Sequence, residues 1–364
     1  MDRGRPRSRR DGALSLPTSV AQEGMGESMT RQVRFGLVLP NRGVLIGLSS
    51  IPSLFSLTAQ AEADPVWDSV WVGDSILAKP RLDALVLLGG LAAMTRRLQL
   101  GVACMASTPL RQPLLLAYQW ASLDALSGGR TIFVACQGQS GAGGGGFAEE
   151  FAAFGIDPAS RSLRMEEAIE ILRLTTGSED VSFAGLFTQF DHVTILPRPI
   201  QQPVPIWVTA NVRPERANLA QRALDRVARL GDGWMSTAVT PEYFADCLAT
   251  IRRLAVGYDR PLTRAFEACL YYNVIVGDNR SLALEEAKRY LDRYYGTSYE
   301  PGFVAGWVAA GTPAECAAQL RSFILAGATT ITLRLTGFDE ALQFRRVTEE
   351  VLPALSEYRA RPAP

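Results

Sequence analysis

Apolar residues fall into two alternating patterns from Val33 to the end of the chain. Short continuous apolar runs rich in β-branched residues, such as Leu98–Met105 and Thr131–Cys136, are typical of buried strands. Between these two runs, Leu114–Leu126 has apolar residues at helical spacing and is followed by Ser127-Gly128-Gly129, which ends a helix. Two apolar strands joined by one helix predict a βαβ unit, in which parallel strands are covered on both faces.

The same alternation predicts eight strands over the rest of the chain. They are Val33–Leu39, Ser69–Val72, Leu98–Met105, Thr131–Cys136, Ile206–Val208, a strand beginning at Gly233–Met235, Ala268–Val276 and Thr329–Leu335. The segment Val181–Ile195 alternates apolar and polar residues around Ala184-Gly185, which predicts a hairpin outside the main sheet. The pattern therefore favours an α/β fold, a single (β/α)8 barrel with an insertion after the fourth strand, over an open doubly wound sheet.

Helical periodicity separates the predicted strands. The predicted helices are Ser53–Ala63, Leu82–Thr95, Leu114–Leu126, Met165–Leu174, Pro214–Leu230, Pro241–Leu254, Leu282–Tyr295, Thr312–Ala326 and Leu342–Leu355. Thr312 followed by Pro313 is a typical N-cap and first helical residue.

The first 30 residues follow neither pattern. They are basic at first, then small and polar, and they lack the apolar region of a secretory signal. We expect a disordered leader over residues 1–30, or a true start at Met25 or Met29, followed by one barrel domain over residues 31–360.

Composition adds mainly exclusions. The chain has 364 residues with 37 Lys and Arg against 37 Asp and Glu, and this zero net charge argues against nucleic acid or an anionic membrane as partner. No apolar run reaches the ~18–20 residues of a membrane span. Five cysteines, three of them in apolar strand runs, favour a cytoplasmic protein over a disulfide framework. With His192 as the only histidine, we expect neither a histidine triad nor a metal site.

The residues at the carboxyl ends of the predicted strands are small or weakly polar. Asp74 is the one carboxylate among them, whereas glycosidases need two carboxylates and metal-assisted hydrolysis needs several ligands. Such a face suits a flat cofactor that carries its own reactivity. The candidate cofactor contacts here are Asp74, Ala103, Cys104, Cys136, Gln137 and Gly138. Asp74 could equally cap the next segment, and small buried hydrophobes are the simpler interpretation of the two cysteines.

A phosphate site is predicted where Thr209-Ala210-Asn211-Val212-Arg213 leads from the fifth strand into a helix starting near Pro214. A helix N-terminus attracts anions, Asn211 could cap that helix, and Arg213 could bind phosphate through its planar fork. An ordinary N-cap beside a solvent-facing arginine explains these residues equally well. The glycine run 141–146 lacks the pattern of a phosphate loop, so a mobile lid or linker is the better interpretation.

Several short motifs, taken together, resemble the bacterial luciferase-like monooxygenase superfamily. They are Asp68–Ser75 (DSVWVGDS), Leu100–Ala103 (LGVA), Pro109–Pro113 (PLRQP), Leu123–Arg130 (LDALSGGR), Phe151–Gly155 (FAAFG), Leu196–Pro199 (LPRP), Gly231–Trp234 (GDGW) and Gly311–Pro313 (GTP). Each motif is weak alone, but their order and spacing are specific. The resemblance covers roughly residues 33–355.

The resemblance implies a (β/α)8 barrel that binds reduced FMN, or the deazaflavin coenzyme F-420, at the carboxyl ends of its strands. It implies a non-proline cis peptide at Ala103-Cys104, ring and phosphate contacts at Cys136-Gln137, and a phosphate-binding turn at Thr209-Ala210-Asn211. Two positions depart from the family. Asp74-Ser75 replaces the adjacent histidines of luciferases, and Gln137 replaces an arginine of some relatives, so luciferase activity itself is not expected.

Three functions are compatible with these residues. The first is a monooxygenase that uses O2 and FMN reduced by a separate flavin reductase to oxidise a small organic substrate. The second is a coenzyme F-420-dependent oxidoreductase that transfers a hydride without oxygen. The third is a flavin-binding subunit without turnover. The resemblance implies a homodimer, whereas the substrate and the catalytic residues cannot be read from the sequence.

Overall fold

A computed structural model describes residues 32–139 and 146–359. The predicted leader over residues 1–30 and the glycines at 141–145 lie outside these residues. Within the described ranges, no helix is long and apolar enough to cross a membrane.

Eight parallel strands close into the predicted barrel. The strands in chain order are β1 (Arg34–Val38), β2 (Ser69–Val72), β3 (Gln99–Val102), β4 (Thr131–Ala135), β5 (Val181–Ala184), β6 (Gln189–Val193), β7 (Ile206–Thr209), β8 (Gly233–Thr237), β9 (Glu267–Val276), β10 (Val308–Gly311) and β11 (Thr330–Leu335). The barrel runs β1-β2-β3-β4-β7-β8-β9-β11, and β11 closes it by pairing with β1. This confirms the barrel and excludes the open sheet.

Eleven α-helices accompany the strands in the described part of the chain. They are α1 (Ile51–Ala63), α2 (Ala84–Met94), α3 (Pro113–Ser127), α4 (Phe147–Ala153), α5 (Arg161–Gly177), α6 (Ala217–Leu230), α7 (Pro241–Gly257), α8 (Arg280–Tyr295), α9 (Pro301–Trp307), α10 (Pro313–Leu325) and α11 (Glu340–Arg346). The predicted cap of α10 is confirmed, since the Thr312 hydroxyl accepts from the Glu315 N–H in a capping box.

The barrel carries two insertions. The predicted one follows β4 and contains α4 and the antiparallel hairpin β5–β6, while α5 between them packs beside α3 and α6 as a helix of the barrel. The second follows β9 and contains α8, α9 and β10, of which α9 and β10 were not predicted because Pro301–Gly311 is short and rich in glycine and alanine. Helix α8 has the predicted extent but a different place. Its last residues contact Arg42 and Lys79, in the loops after β1 and β2, so α8 lies across the carboxyl ends of the strands.

The barrel interior is filled mainly by large apolar side chains. The interior cluster is Val38, Trp71, Ile132, Val134, Trp207, Met235, Cys269 and Tyr271. Gly36 and Gly101, on the strands either side of β2, leave the space that Trp71 occupies, because a Cβ atom at either glycine would overlap its indole ring. A second, larger core lies between the barrel strands and the helices. The packed interior leaves the carboxyl ends of the strands as the place for a ligand.

Candidate functional site

The floor of the candidate site is formed where β3 and β4 end. The Ala103-Cys104 peptide bond is cis, as the family resemblance implies. Strand β3 therefore ends at Val102 and not at Met105, although Met105 rejoins β4 through a single bridge to Ala135. The predicted strand over Leu98–Met105 is too long at its end, because the cis bond turns the chain out of the ladder.

Two cysteine thiols meet on this floor. The half-buried side chains of Cys104 and Cys136 are hydrogen-bonded to each other. Hydrogen bonds from the Cys104 thiol, the Thr209 hydroxyl and the Gly138 N–H outweigh burial and lower the pKa of Cys136 to about 7. The same contact and burial raise the pKa of Cys104 well above its usual value. The contact therefore favours the thiolate of Cys136 over that of Cys104.

Cys136 is expected to be alkylated more rapidly than Cys104, the other cysteine of the floor. Its reaction with iodoacetamide should accelerate across about pH 7, because the thiolate is the reactive form. Rates are measured by peptide mass spectrometry in wild type and in Cys104→Ala, which removes one donor and should slow Cys136 at neutral pH. Cys247, whose burial raises its pKa to about 11, serves as the internal control. A Cys136 rate that matches that of Cys247 at neutral pH contradicts this assignment.

Asp74 connects the loop after β2 to the loop after β3. Its side chain is 2% exposed, and its Oδ2 accepts from the Ser107 N–H at 2.8 Å. Arg111 Nη2 lies 3.4 Å from Oδ1. Burial raises the pKa of Asp74, while Arg111 and Ser107 oppose that rise. Asp74 thus binds the chain that follows the cis peptide rather than capping the segment next to it in sequence, and its contact with a cofactor ring stays a prediction.

Gln137 and Gly138 follow Cys136 at the end of β4. The Gln137 side-chain oxygen accepts a hydrogen bond from the Ser162 hydroxyl of α5, which leaves its amide N–H groups available as donors. Gly138 has φ of 65°, and a Cβ atom there would lie 3.1 Å from the Ala106 carbonyl oxygen. Because glycine lacks this atom, residue 138 leaves space above the floor beside Ala103 and Cys104.

The turn after β7 carries the predicted phosphate site. Ala210 is fixed from both sides, since its N–H donates to the Met235 carbonyl and its carbonyl accepts from Trp234 Nε1, each at 3.1 Å. Asn211 and Arg213 are exposed, and neither side chain hydrogen-bonds or ion-pairs with another described residue. Arg213 packs over the Phe303 ring at 5.3 Å. The turn therefore offers an amide and a guanidinium free to bind an anion.

The predicted start of the helix that follows this turn is wrong. Helix α6 begins at Ala217 and not near Pro214, because Pro214–Arg216 forms a separate 3-10 turn. Arg216 occupies the N-cap position, so Asn211 lies too far upstream to cap the helix. A phosphate bound by Asn211 and Arg213 would depend on these side chains and the turn, not on the dipole of α6.

A buried cation that was not predicted from the sequence lies at the end of β11. Arg334 is 1% exposed, and its Nη1 donates to the Tyr295 hydroxyl at 2.7 Å. Its guanidinium also lies over the rings of Tyr271, Tyr294 and Tyr295, at 4.2 to 5.5 Å. The Tyr271 and Tyr295 hydroxyls are 3.3 Å apart. The strand run TTITLRL contains the missed signal, since position 334 shares the inward-facing alternation of Thr330 and Thr332.

Aromatic side chains of the second insertion line the other side of the site. Tyr295, Tyr299, Phe303 and Trp307 contact one another with ring centroids 5.4 to 6.0 Å apart. Trp307 Nε1 donates to the Thr237 hydroxyl at the end of β8 at 2.5 Å. This aromatic wall connects Arg334 with the Phe303 ring beneath Arg213. It supplies the apolar enclosure that a cofactor ring or substrate requires.

His192 takes no part in this site. It lies in the hairpin β5–β6 with its side chain 79% exposed and its Nδ1 3.0 Å from Asp180, as expected for a surface residue. Among the described residues there is no group of three or more His, Cys, Asp or Glu side chains that could hold a metal ion.

Comparisons with known proteins find a matching family, similar chains and similar folds. Residues 33–330 match the family described as luciferase-like monooxygenase. The chain is 25% identical over 315 residues, 79% of this chain and 90% of the relative, to the F420-dependent glucose-6-phosphate dehydrogenase of Amycolatopsis mediterranei. The structure of monooxygenase RslO1 from Streptomyces bottropensis is 25% identical with a TM-score of 0.72, over 89% of this chain and 100% of that one. The coenzyme F420-dependent tetrahydromethanopterin reductase from Methanopyrus kandleri shares the fold at 18% identity, with a TM-score of 0.64 over 88% of this chain and 99% of that one.

Proposed function

The chain belongs to the luciferase-like monooxygenase family, and we propose that it is an oxidoreductase that uses the deazaflavin coenzyme F-420. The observation that carries this choice is the similarity over 79% of the chain to a relative named as an F420-dependent dehydrogenase. This reverses the order of the two hypotheses drawn from the sequence, in which FMN and O2 came first.

The residues at the strand ends fit a flat ring with a phosphate-bearing tail. Ala103, Cys104, Cys136 and Gly138 form a floor of small groups, and Gln137 offers amide donors at its edge. Asn211 and Arg213 offer donors to the phosphate of the tail. When bound, the deazaflavin supplies a ring carbon that accepts or donates a hydride.

A side chain of the protein would accept or donate the proton that accompanies this hydride. Oxidising an alcohol to a carbonyl removes a hydride from carbon and a proton from oxygen, and the reverse reaction returns both. Tyr295 is half-buried beside the site and accepts from Arg334, so its own proton is directed away from that cation. Burial raises the pKa of the neighbouring Tyr271 well above its usual value and keeps that phenol protonated. Tyr295 Oη is therefore the atom that we assign to hold the proton of the substrate oxygen.

FMN with O2 is the second candidate. The structure of monooxygenase RslO1, with a TM-score of 0.72 at 25% identity, favours it. This function would require a flavin reductase to supply the reduced cofactor, whereas F-420 is reduced by the substrate itself. The same floor and the same phosphate turn would serve either cofactor.

Asn211→Asp is expected to weaken F-420 binding by about tenfold or more, because it sets a carboxylate against the cofactor phosphate. Asn211→Ala, which removes only a hydrogen bond, should have a smaller effect. Fluorescence titration measures both dissociation constants, and thermal melting verifies that these exposed substitutions leave the fold intact. Equal affinities for wild type and Asn211→Asp would remove this turn from the cofactor site.

A further inference from the structure

Three basic side chains gather where β1 and β2 end. Arg42 follows β1, and Lys79 and Arg81 lie in the loop after β2. All three are half-buried. The Arg81 guanidinium lies directly over Gly73, the residue that follows β2, since a Cβ atom on Gly73 would overlap it. Lys79 Nζ lies 4.9 Å from the Tyr295 ring and 5.8 Å from that of Phe147. The three cations therefore border the same opening as Tyr295.

Within residues 32–139 and 146–359, none of these cations forms an ion pair with a carboxylate. Arg42 Nε donates to the Tyr294 carbonyl at 2.6 Å, and Arg81 Nε donates to the Lys79 carbonyl at 3.1 Å. Asp74 and Asp83, the acids of this loop, are instead joined to Arg111. Arg111 is therefore the ion-pair partner of both acids, and Arg81 interacts with Asp74 only through charge attraction at longer range.

The backbone that carries Lys79 is held by a buried carboxylate. Glu150 of α4 is 1% exposed, and its Oε1 accepts from the N–H groups of residues 76, 77 and 78 at 2.7 to 3.2 Å. The Ser75 hydroxyl accepts from the Lys79 N–H at 3.0 Å. Hydrogen bonds to four successive N–H groups, those of residues 76 to 79, thus hold this loop and fix the backbone position of Lys79.

The cations repel one another in this position. Burial, with the charges of Arg81 and Arg42, lowers the pKa of Lys79 to about 8. Burial and Arg81 also lower the pKa of Arg42. A bound anion would relieve this repulsion, so the arrangement favours an anionic ligand.

The cluster is separated from the phosphate turn that we assign to the cofactor. Around the barrel, β1 and β7 lie four strands apart in a ring of eight, which places the ends of β1 and β7 on opposite sides of the opening. The floor of Ala103, Cys104 and Cys136 lies between them, at β3 and β4. A ring on this floor with its tail towards β7 leaves the cations on the substrate side.

We propose that Lys79, Arg81 and Arg42 bind the acidic group of the substrate, a phosphate or a carboxylate, and so select organic anions. The inference deepens the proposed function and rests on it, because it takes the neighbouring floor to be the cofactor site. The anion at the cations places the remainder of the substrate beside Tyr295, the residue assigned to the proton.

The test uses the full chain with inorganic phosphate as probe and compares wild type with Lys79→Gln/Arg81→Gln. Wild type is expected to be stabilised by phosphate in thermal melting, and the double variant should need about tenfold or more phosphate for the same shift. Acetate in place of phosphate shows whether the site prefers a phosphate or a carboxylate. The matched control is Arg252→Gln/Arg253→Gln, which removes the same charge from exposed positions of α7 and should behave as wild type.

F-420 titration of the same three proteins separates the possible failures. The proposal expects the affinity for F-420 to stay within about twofold in all three, because the cations do not contact the cofactor. An equal phosphate response in wild type and Lys79→Gln/Arg81→Gln overturns the anion site, while F-420 binding would leave the proposed function standing. Loss of F-420 binding in that variant alone also overturns it, because the cations would then bind the acidic tail of the cofactor. Failure of wild type itself to bind F-420 overturns the proposed function.

Discussion

Gly101→Val is expected to lower the free energy of unfolding by about 3 kcal/mol or more. Gly101 lies on β3 inside the barrel, and Trp71 fills the space that its missing side chain leaves. Trp71 is fully buried, contacts Trp207 with ring centroids 5.5 Å apart, and donates through Nε1 to the Ser69 hydroxyl at 2.8 Å. Neither the indole nor the strand has room to move, because the interior is packed on all sides. Chemical denaturation of purified variants measures the loss.

Gly89→Ala is the matched control for this substitution. Gly89 lies within α2 and has no atom within 4 Å of the place where a Cβ atom would stand. Alanine there should stabilise the protein by about 0.5–1 kcal/mol, because glycine is the poorer helix former. A Gly101→Val protein that unfolds at the same denaturant concentration as wild type would show that Trp71 does not fill the barrel as described.

Tyr295→Phe is expected to lower kcat by about 100-fold or more, which is the usual contribution of a positioned acid or base. The Tyr295 hydroxyl accepts directly from Arg334, and phenylalanine retains the ring that Lys79 and Trp307 contact. Only the proton-bearing atom is lost, so affinity for F-420 should stay unchanged. The rate of F-420 reduction, measured with the substrate that wild type oxidises fastest, gives kcat.

Tyr118→Phe controls for the loss of a phenol elsewhere, since Tyr118 is 49% exposed on α3. Arg334→Met should lower kcat and leave the affinity for F-420 unchanged, because it removes the donor that orients the Tyr295 hydroxyl, whereas a purely structural role would lower stability and affect kcat and F-420 affinity together. If Tyr295→Phe turns over within about twofold of wild type, another group handles the substrate proton.

Hydrophobic periodicity was sufficient to predict the barrel. The buried strands have continuous apolar runs because both faces of the sheet are covered. The hairpin at Val181–Ile195 could be distinguished from them because its apolar and polar residues alternate. Periodicity could not show that α8 lies across the opening instead of along the barrel side. Its buried residues, such as Tyr290 and Tyr294, follow a helical spacing in either place. The position of α8 depends on contacts of Tyr294 and Tyr295 with loops more than 200 residues away.

The candidate site was only partly predictable. The strand-end residues could be placed because they lie next to predicted strands, where the sequence order fixes the position in space, whereas the Ala103-Cys104 cis bond was implied only by the family resemblance. Arg42, Lys79 and Arg334 were missed because they are far apart in the chain and meet only through the closed barrel. The start of α6 was misjudged because Pro214 is compatible both with a first helical turn and with the separate 3-10 turn that forms.

The central claim, that the strand ends bind coenzyme F-420, is tested most directly by anaerobic titration of the purified protein. Oxidised F-420, reduced F-420 and reduced FMN are each titrated separately, with binding followed by fluorescence or calorimetry. We expect F-420 to bind at least about tenfold more tightly than reduced FMN. Tight binding of reduced FMN without binding of F-420 would contradict it and restore the oxygen-dependent function.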